Sequence, residues 1–210
     1  MGCGAEGVTK AVLAAAGVVA EHRTELIELD RAIGDADHGE NMNRGFTVVV
    51  AALADATPET PGEVLKIAAK TLISKVGGAA GPLYGTAFLR AATKAADQSE
   101  VDAQAVVELL RAALDGVRAR GKAEVGDATM IDALTPAVAA AEAAAAVAGA
   151  DIAAVLSAAA DAADQGAEST VDLVPRKGRA SYLGERAVGH MDPGARSTAL
   201  ILRAFAEAAR

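Results

Sequence analysis

Residues 34–45 read GDADHGENMNRG and gather Asp35, Asp37 and His38 within four positions, with Asp30 five residues before Asp35. Carboxylates this close repel one another unless a cation sits among them. Hard divalent cations such as magnesium take carboxylate, phosphate and water oxygens. Taken singly, each aspartate has an ordinary role: Asp35 or Asp37 as the N-cap of a helix from His38, and Asp30 as a solvated helix end. The three together with His38 point to a cation site. An EF-hand loop is excluded, because the twelfth position counted from Asp35 is Phe46, where that loop needs a bidentate Glu.

A second stretch, VGGAAGPLYG at 76–85, combines small residues with a Pro at a helix start. Such a segment exposes backbone N–H groups that suit a phosphate. GVRARGKA at 116–123 nearly spells a P-loop, but Ala123 stands where Ser or Thr is required and no strand precedes it. It is rejected as a Walker motif, while Gly121 keeps interest as a backbone position beside a ligand. GDATMIDALTP at 126–136 echoes the first Gly-Asp-Ala, with Asp127 or Thr129 expected as an N-cap. RKGRASYLGERAVGHMDPGARST at 176–198 sets Arg176, Lys177, Arg179 and Arg186 near His190 and Asp192. A loop of that length in a helical domain favours a lid facing an anionic ligand over an idle surface loop. His22, among Glu21, Arg23 and Glu25, is read as solvated and without a role.

The elements that must carry these residues read as helix after helix. Apolar positions recur at three- and four-residue spacing near 5–30, 38–54, 61–75, 82–97, 102–120, 129–147, 151–169 and 194–209, with Gly and Pro between. FTVVVAAL, though β-branched, continues a helix-length pattern, and no strand is expected. Eight helices with short connections predict an all-α, up-and-down antiparallel barrel or bundle. Alternate connections then emerge at one end, and the four polar, Gly-rich ones follow odd-numbered helices, so all four meet there.

The chain has 210 residues, 52% of them hydrophobic but only 2% aromatic, so the core must be aliphatic and small. One domain over 1–210 is expected. A net charge of −8 argues against a nucleic-acid groove and leaves room for cations. No apolar run is long enough for a membrane span, and the start MGCGAEGVTK carries no secretory signal pattern. Cys3 is the only cysteine and is expected in a frayed terminus. A cytoplasmic protein fits these features.

LDRAIGDADHGENMNRGF, GGAAGPLYG, GKAEVGDATMIDAL and KGRASYLGERAVGHMDPGA, in this order, resemble the signature blocks of the nucleotide-binding L subunits of dihydroxyacetone kinases. The resemblance spans essentially the whole chain. It implies a barrel of eight helices with ADP (or ATP) bound in the loops at one end. Asp30, Asp35 and Asp37 match the aspartates that hold two magnesium ions on the nucleotide phosphates. His38, Gly39, Glu40, Asn41, Ala79, Ala80, Gly121, Met130, Arg179, Asp192, Pro193 and Gly194 fall in blocks that line the nucleotide, and Arg179 is placed to offset charge in the transfer. Ala80 departs from the family, where many members carry Ser, so only backbone N–H groups can serve there.

The same resemblance implies partners. In the family a separate K subunit holds dihydroxyacetone covalently through a histidine. Free-standing L chains keep ADP bound, and a phosphohistidine protein of the phosphotransferase system rephosphorylates it. Two alternatives stand beside this: an ATP-dependent L subunit of a kinase for another small keto sugar (a tetrulose), and a non-catalytic partner of a transcriptional regulator. A homodimer is left open.

Overall fold

In the computed structural model, which describes residues 2–210, the apolar stripes form nine α-helices: α1 (Ala5–Glu21), α2 (Arg23–Ile33), α3 (His38–Ala54), α4 (Pro61–Lys75), α5 (Ala80–Lys94), α6 (Ala103–Gly121), α7 (Met130–Ala145), α8 (Ile152–Ser169) and α9 (Pro193–Ala208). Met1, the first residue of the start read as lacking a signal, lies outside the described residues. No helix among them is long and apolar enough to cross a membrane.

From α3 onward each helix packs on the next, and α9 returns to α8 and α1, which closes the barrel. The expected first helix over 5–30 is instead two, broken at His22, and α5 begins at Ala80 rather than 82. The extra break leaves the end-to-end alternation intact: α2 packs mainly on α3 and α9 instead of folding back along α1. Cys3 is not frayed. Its N–H donates to Val101 O at 2.8 Å, and Val101 N–H returns to Cys3 O at 2.9 Å, tying the chain start to the loop before α6.

Small residues let these helices approach closely. An ideal Cβ on Gly81 would strike the carbonyls of Val76 and Leu72, so only glycine permits α5 to cross the end of α4 there. Phe46, Phe88 and Phe205, the chain's three phenylalanines, stack edge to face from α3, α5 and α9 with 6.4 Å between successive ring centroids. Alanine stripes elsewhere bring backbones together without filling the axis. An apolar cavity of about 1100 Å³, lined among others by Val8, Val12, Leu110, Leu134 and Leu156, remains.

The helix starts differ between the two ends. α1, α4, α6 and α8 begin at one end; α1 has Gly4 at its N-cap and no side-chain cap, and the other three are capped by Thr60, Asp102 and Asp151. At the other end α7 is capped by Thr129 in a capping box with Asp132, and α9 by Asp192. α3 and α5 also begin there, and neither has a cap from its own N-cap residue. Four helix N-termini, with their partial positive charge, therefore share the end that carries the Gly-rich connections.

Candidate functional site

The turn from α2 into α3 is built on Asp30. Its Oδ2 accepts the N–H groups of Asp37 at 2.8 Å and His38 at 3.0 Å, so the cap of α3 comes from the preceding helix. Asp30 is thus buried rather than a solvated helix end, and neither Asp35 nor Asp37 caps α3. Gly34 crosses Asp30 so closely that a Cβ would overlap its carboxylate. Ala36, between the other two aspartates, adopts φ +61°, a left-handed conformation that costs about 1–2 kcal/mol for a residue with a Cβ. Strain of this kind is kept where the surroundings over-determine it. Here it sets Asp35 and Asp37 beside Asp30, with one oxygen of each within 4.8 Å of the others. One buried and two exposed carboxylates open to solvent are hard oxygen donors that fit magnesium completed by water or phosphate.

Arg179 stands over this cluster, its Nη2 2.9 Å from Asp35 Oδ2. It belongs to the long connection between α8 and α9, which is organised by three short 3-10 turns, Thr170–Asp172, Arg179–Tyr182 and Gly184–Ala187. Ala180 and Ala187 pack with Leu183 on Ile33 at the end of α2, forming a small core separate from the barrel. Arg176 N–H donates to Asp127 O at 3.0 Å, and Gly189 N–H to Val171 O at 2.7 Å. The connection is therefore a docked lid.

His38, at the first position of α3, turns inward. Its Nε2 lies 2.9 Å from Ser197 Oγ, which lies 2.7 Å from the Tyr84 hydroxyl. Tyr84 also meets Thr198 Oγ1 at 2.9 Å. Burial pushes the imidazole pKa down to about 4, against the pull of Asp30, so the ring is neutral at pH 7. Burial likewise pushes Tyr84 up to about 12. Asp192 is raised to about 7, first by burial and further by the charges of Asp132 and Asp30, against N–H donation from Ala195 and Gly194.

The remaining blocks meet around these. Asn41 is buried, accepts from Arg44 Nη2 at 2.5 Å, and faces the Gly77–Gly78 turn, where a Cβ on Gly77 would lie 2.9 Å from its Oδ1. Gly78 takes φ +63° to lead into α5. With Ala79 at the cap and Pro82 lacking an N–H, the first-turn N–H groups of Ala80 and Gly81 face a start with no side-chain cap. Gly121, last in α6, lies against Leu83, while Met130 and Gly194 set the starts of α7 and α9 side by side. Thr129, not Asp127, caps α7, and Asp127 instead accepts the N–H of Glu124 at 3.0 Å. Ala128 repeats the left-handed φ of Ala36, at +55°, so the two Gly-Asp-Ala echoes share a backbone turn.

Two predicted site residues have other neighbours. Glu40 turns its side chain back to Arg23 in an ion pair. Gly39 is buried against α2, where a Cβ would collide with the Arg23 carbonyl and approach Ile27 to 2.9 Å. Their first-turn N–H groups, having no carbonyl one turn back, still point out of the helix start. His22 is half-buried, with Nδ1 2.5 Å from Glu25, whose other oxygen takes Arg196 Nε at 2.6 Å, so it joins the α1–α2 break to α9. Sequence reasoning missed Tyr84, Ser197 and Thr198. The signal was faint but present, as two hydroxyl residues on the apolar stripe of α9.

The DAK2 domain family model matches residues 32–207. The chain is 45% identical over 185 residues to the PEP-dependent dihydroxyacetone kinase, ADP-binding subunit DhaL, of Escherichia coli, covering 88% of each chain. It is 42% identical over 187 residues to the corresponding subunit of kinase 1 of Listeria innocua, covering 89% of this chain and 88% of that one. The solved dihydroxyacetone kinase from C. freundii in complex with AMP-PNP and Mg2+ superposes with a TM-score of 0.75 at 28% identity. That match covers 99% of this chain and 34% of the other, so the chain spans about a third of that longer kinase.

Proposed function

The chain belongs to the DAK2 domain family, and from that premise we propose that it is the ADP-binding subunit of a two-component dihydroxyacetone kinase. The observation that carries this reading is the triad Asp30, Asp35 and Asp37 at the end where α3 and α5 start without caps of their own. Carboxylates for cations, N–H groups for phosphate and a neutral imidazole lie within one ring of connections. The names of the relatives, and the AMP-PNP and Mg2+ of the C. freundii structure, support the same ligands.

Asp30, Asp35 and Asp37 hold two magnesium ions, which when bound neutralise phosphate charge and fix the phosphates in line. The N–H groups of Gly39, Glu40, Ala80 and Gly81 receive phosphate oxygens without any need for the Ser that many relatives carry at position 80. Asn41, Gly121, Met130, Asp192, Pro193 and Gly194 shape the rest of the nucleotide end. Arg179 leaves Asp35 and turns to the phosphoryl group in transit, where its fixed charge is worth most. The terminal phosphoryl of the nucleotide passes to a hydroxyl of dihydroxyacetone on the K subunit, and the ADP that remains is rephosphorylated in place by a phosphohistidine donor protein. The setting is the cytoplasm, where that donor system operates.

The test is turnover. The purified chain should release ADP and magnesium on denaturation, as read by mass analysis. Mixed with K subunit and dihydroxyacetone, it should turn over with phosphorylated donor protein. Turnover with ATP alone would assign it to the ATP-dependent kinases, and K binding without turnover under either donor would make it a regulator.

A further inference from the structure

Three hydroxyl protons, from Tyr84, Ser197 and Thr198, are shared at the start of α9, and counting them decides which nitrogen of His38 carries its proton. The Gly194 carbonyl has two lone pairs. One takes the Thr198 N–H by helix geometry, and the other takes the Thr198 hydroxyl at 2.8 Å. The contacts of Ser197 and Tyr84 to that carbonyl are both longer, at 3.1 Å. Their protons are better used elsewhere: Tyr84 O–H donates to Ser197 Oγ at 2.7 Å, and Ser197 O–H donates to His38 Nε2 at 2.9 Å. An imidazole that accepts at Nε2 carries its hydrogen on Nδ1.

From this geometry we infer that Tyr84 and Ser197 are positioning residues that hold His38 as an Nδ1–H donor toward a nucleotide phosphate, and not as a fourth metal ligand. The residue types alone grouped His38 with the three aspartates. A metal ligand needs a bare ring lone pair, and here the lone pair at Nε2 is taken by Ser197 while Nδ1 has none to offer. The cation site is then made of carboxylates only, and the imidazole adds a neutral donor beside it. Tyr84 lies in the second turn of α5, the helix that follows the Gly-rich turn, so its hydroxyl ties that helix to Ser197 of α9 and, through Ser197, to His38. This inference rests on the nucleotide reading above.

The experiment uses the full chain labelled with 15N at histidine. Long-range 1H–15N spectra of the nucleotide-free protein near pH 7 should show the Nδ1–H pattern for His38. Tyr84→Phe and Ser197→Ala should blur or invert that pattern. Each should weaken MgADP binding about 5- to 20-fold in calorimetry, the loss expected for a misaligned hydrogen bond to a charged acceptor. Mn2+ affinity without nucleotide, read by electron paramagnetic resonance, should stay within about twofold. An Nε2–H pattern in the wild-type chain overturns the relay, and unchanged MgADP affinity in both variants overturns the phosphate role. A wild-type chain that shows Nδ1–H but takes up no ADP overturns the nucleotide reading and the phosphate role with it, while leaving the relay.

Discussion

Removing the carboxylate of Asp30 should do something that removing Asp35 or Asp37 does not. In Asp30→Ala the N–H groups of Asp37 and His38 lose a charged acceptor held at 2.8 and 3.0 Å in a buried setting. Hydrogen bonds to charged groups are worth about 1.5–3 kcal/mol each, so the two together cost about 3 kcal/mol or more. For a chain of this size that lowers Tm by roughly 6–12 °C. Asp30→Asn keeps an oxygen acceptor without the charge and should lose about half as much. Asp35 and Asp37 are exposed and hold no backbone group of the turn. Among the described residues Asp35 pairs with Arg179, itself mostly exposed, so that pair contributes about 1 kcal/mol at most. Asp35→Ala and Asp37→Ala should therefore melt within a few degrees of the parent.

Ligand then sets all three variants apart from the parent. MgADP at about 100 times its dissociation constant should raise parental stability by about 2.7 kcal/mol, and all three alanine variants should lose that gain. Thermal melts by circular dichroism, with and without MgADP, read both effects. A parental melt in Asp30→Ala, or a collapse in Asp37→Ala, would show that the turn is not held as described.

Stability should carry opposing pH slopes from two groups. His38, lowered from 6.5 to about 4, stays neutral in the folded chain while the unfolded chain takes a proton, so its contribution, about 3 kcal/mol, is lost as pH falls from about 6.5 to 4. Asp192, raised from 3.8 to about 7, holds its proton longer when folded, so its contribution of about 4 kcal/mol is lost as pH rises over that span. Relative to the parent, urea unfolding of His38→Asn should fall more steeply with rising pH, and that of Asp192→Asn should climb. Gly39→Ala places a Cβ against the Arg23 carbonyl and Ile27, and should cost about 1–3 kcal/mol in unfolding and weaken metal-dependent ADP binding as α3 is pushed off α2. Arg179→Ala should leave the melt within about 1 kcal/mol of parental while lowering turnover with the K subunit on the order of 10²–10³-fold, measured as phosphorylated product.

Helix identity and the ring of site blocks could be read from residue order, because both are local. Apolar spacing of three and four sets which face a helix buries, and the alternation of helices carries polar connections to one end whatever their packing. That alternation survived the break at His22, which no Gly or Pro announces. The types of Asp30, Asp35 and Asp37 also suffice to suggest a cation. Their division of labour was not legible. Asp30 as a buried cap, Ala36 in a left-handed turn and Arg179 against Asp35 follow from how α2, α3 and the lid press together. Likewise nothing local marks Ser197 as the partner of His38, or Tyr84, 113 residues before Ser197, as the partner of Ser197. A hydrogen bond needs two atoms within about 3 Å, and whether distant residues meet at that distance is set by the closure of the barrel.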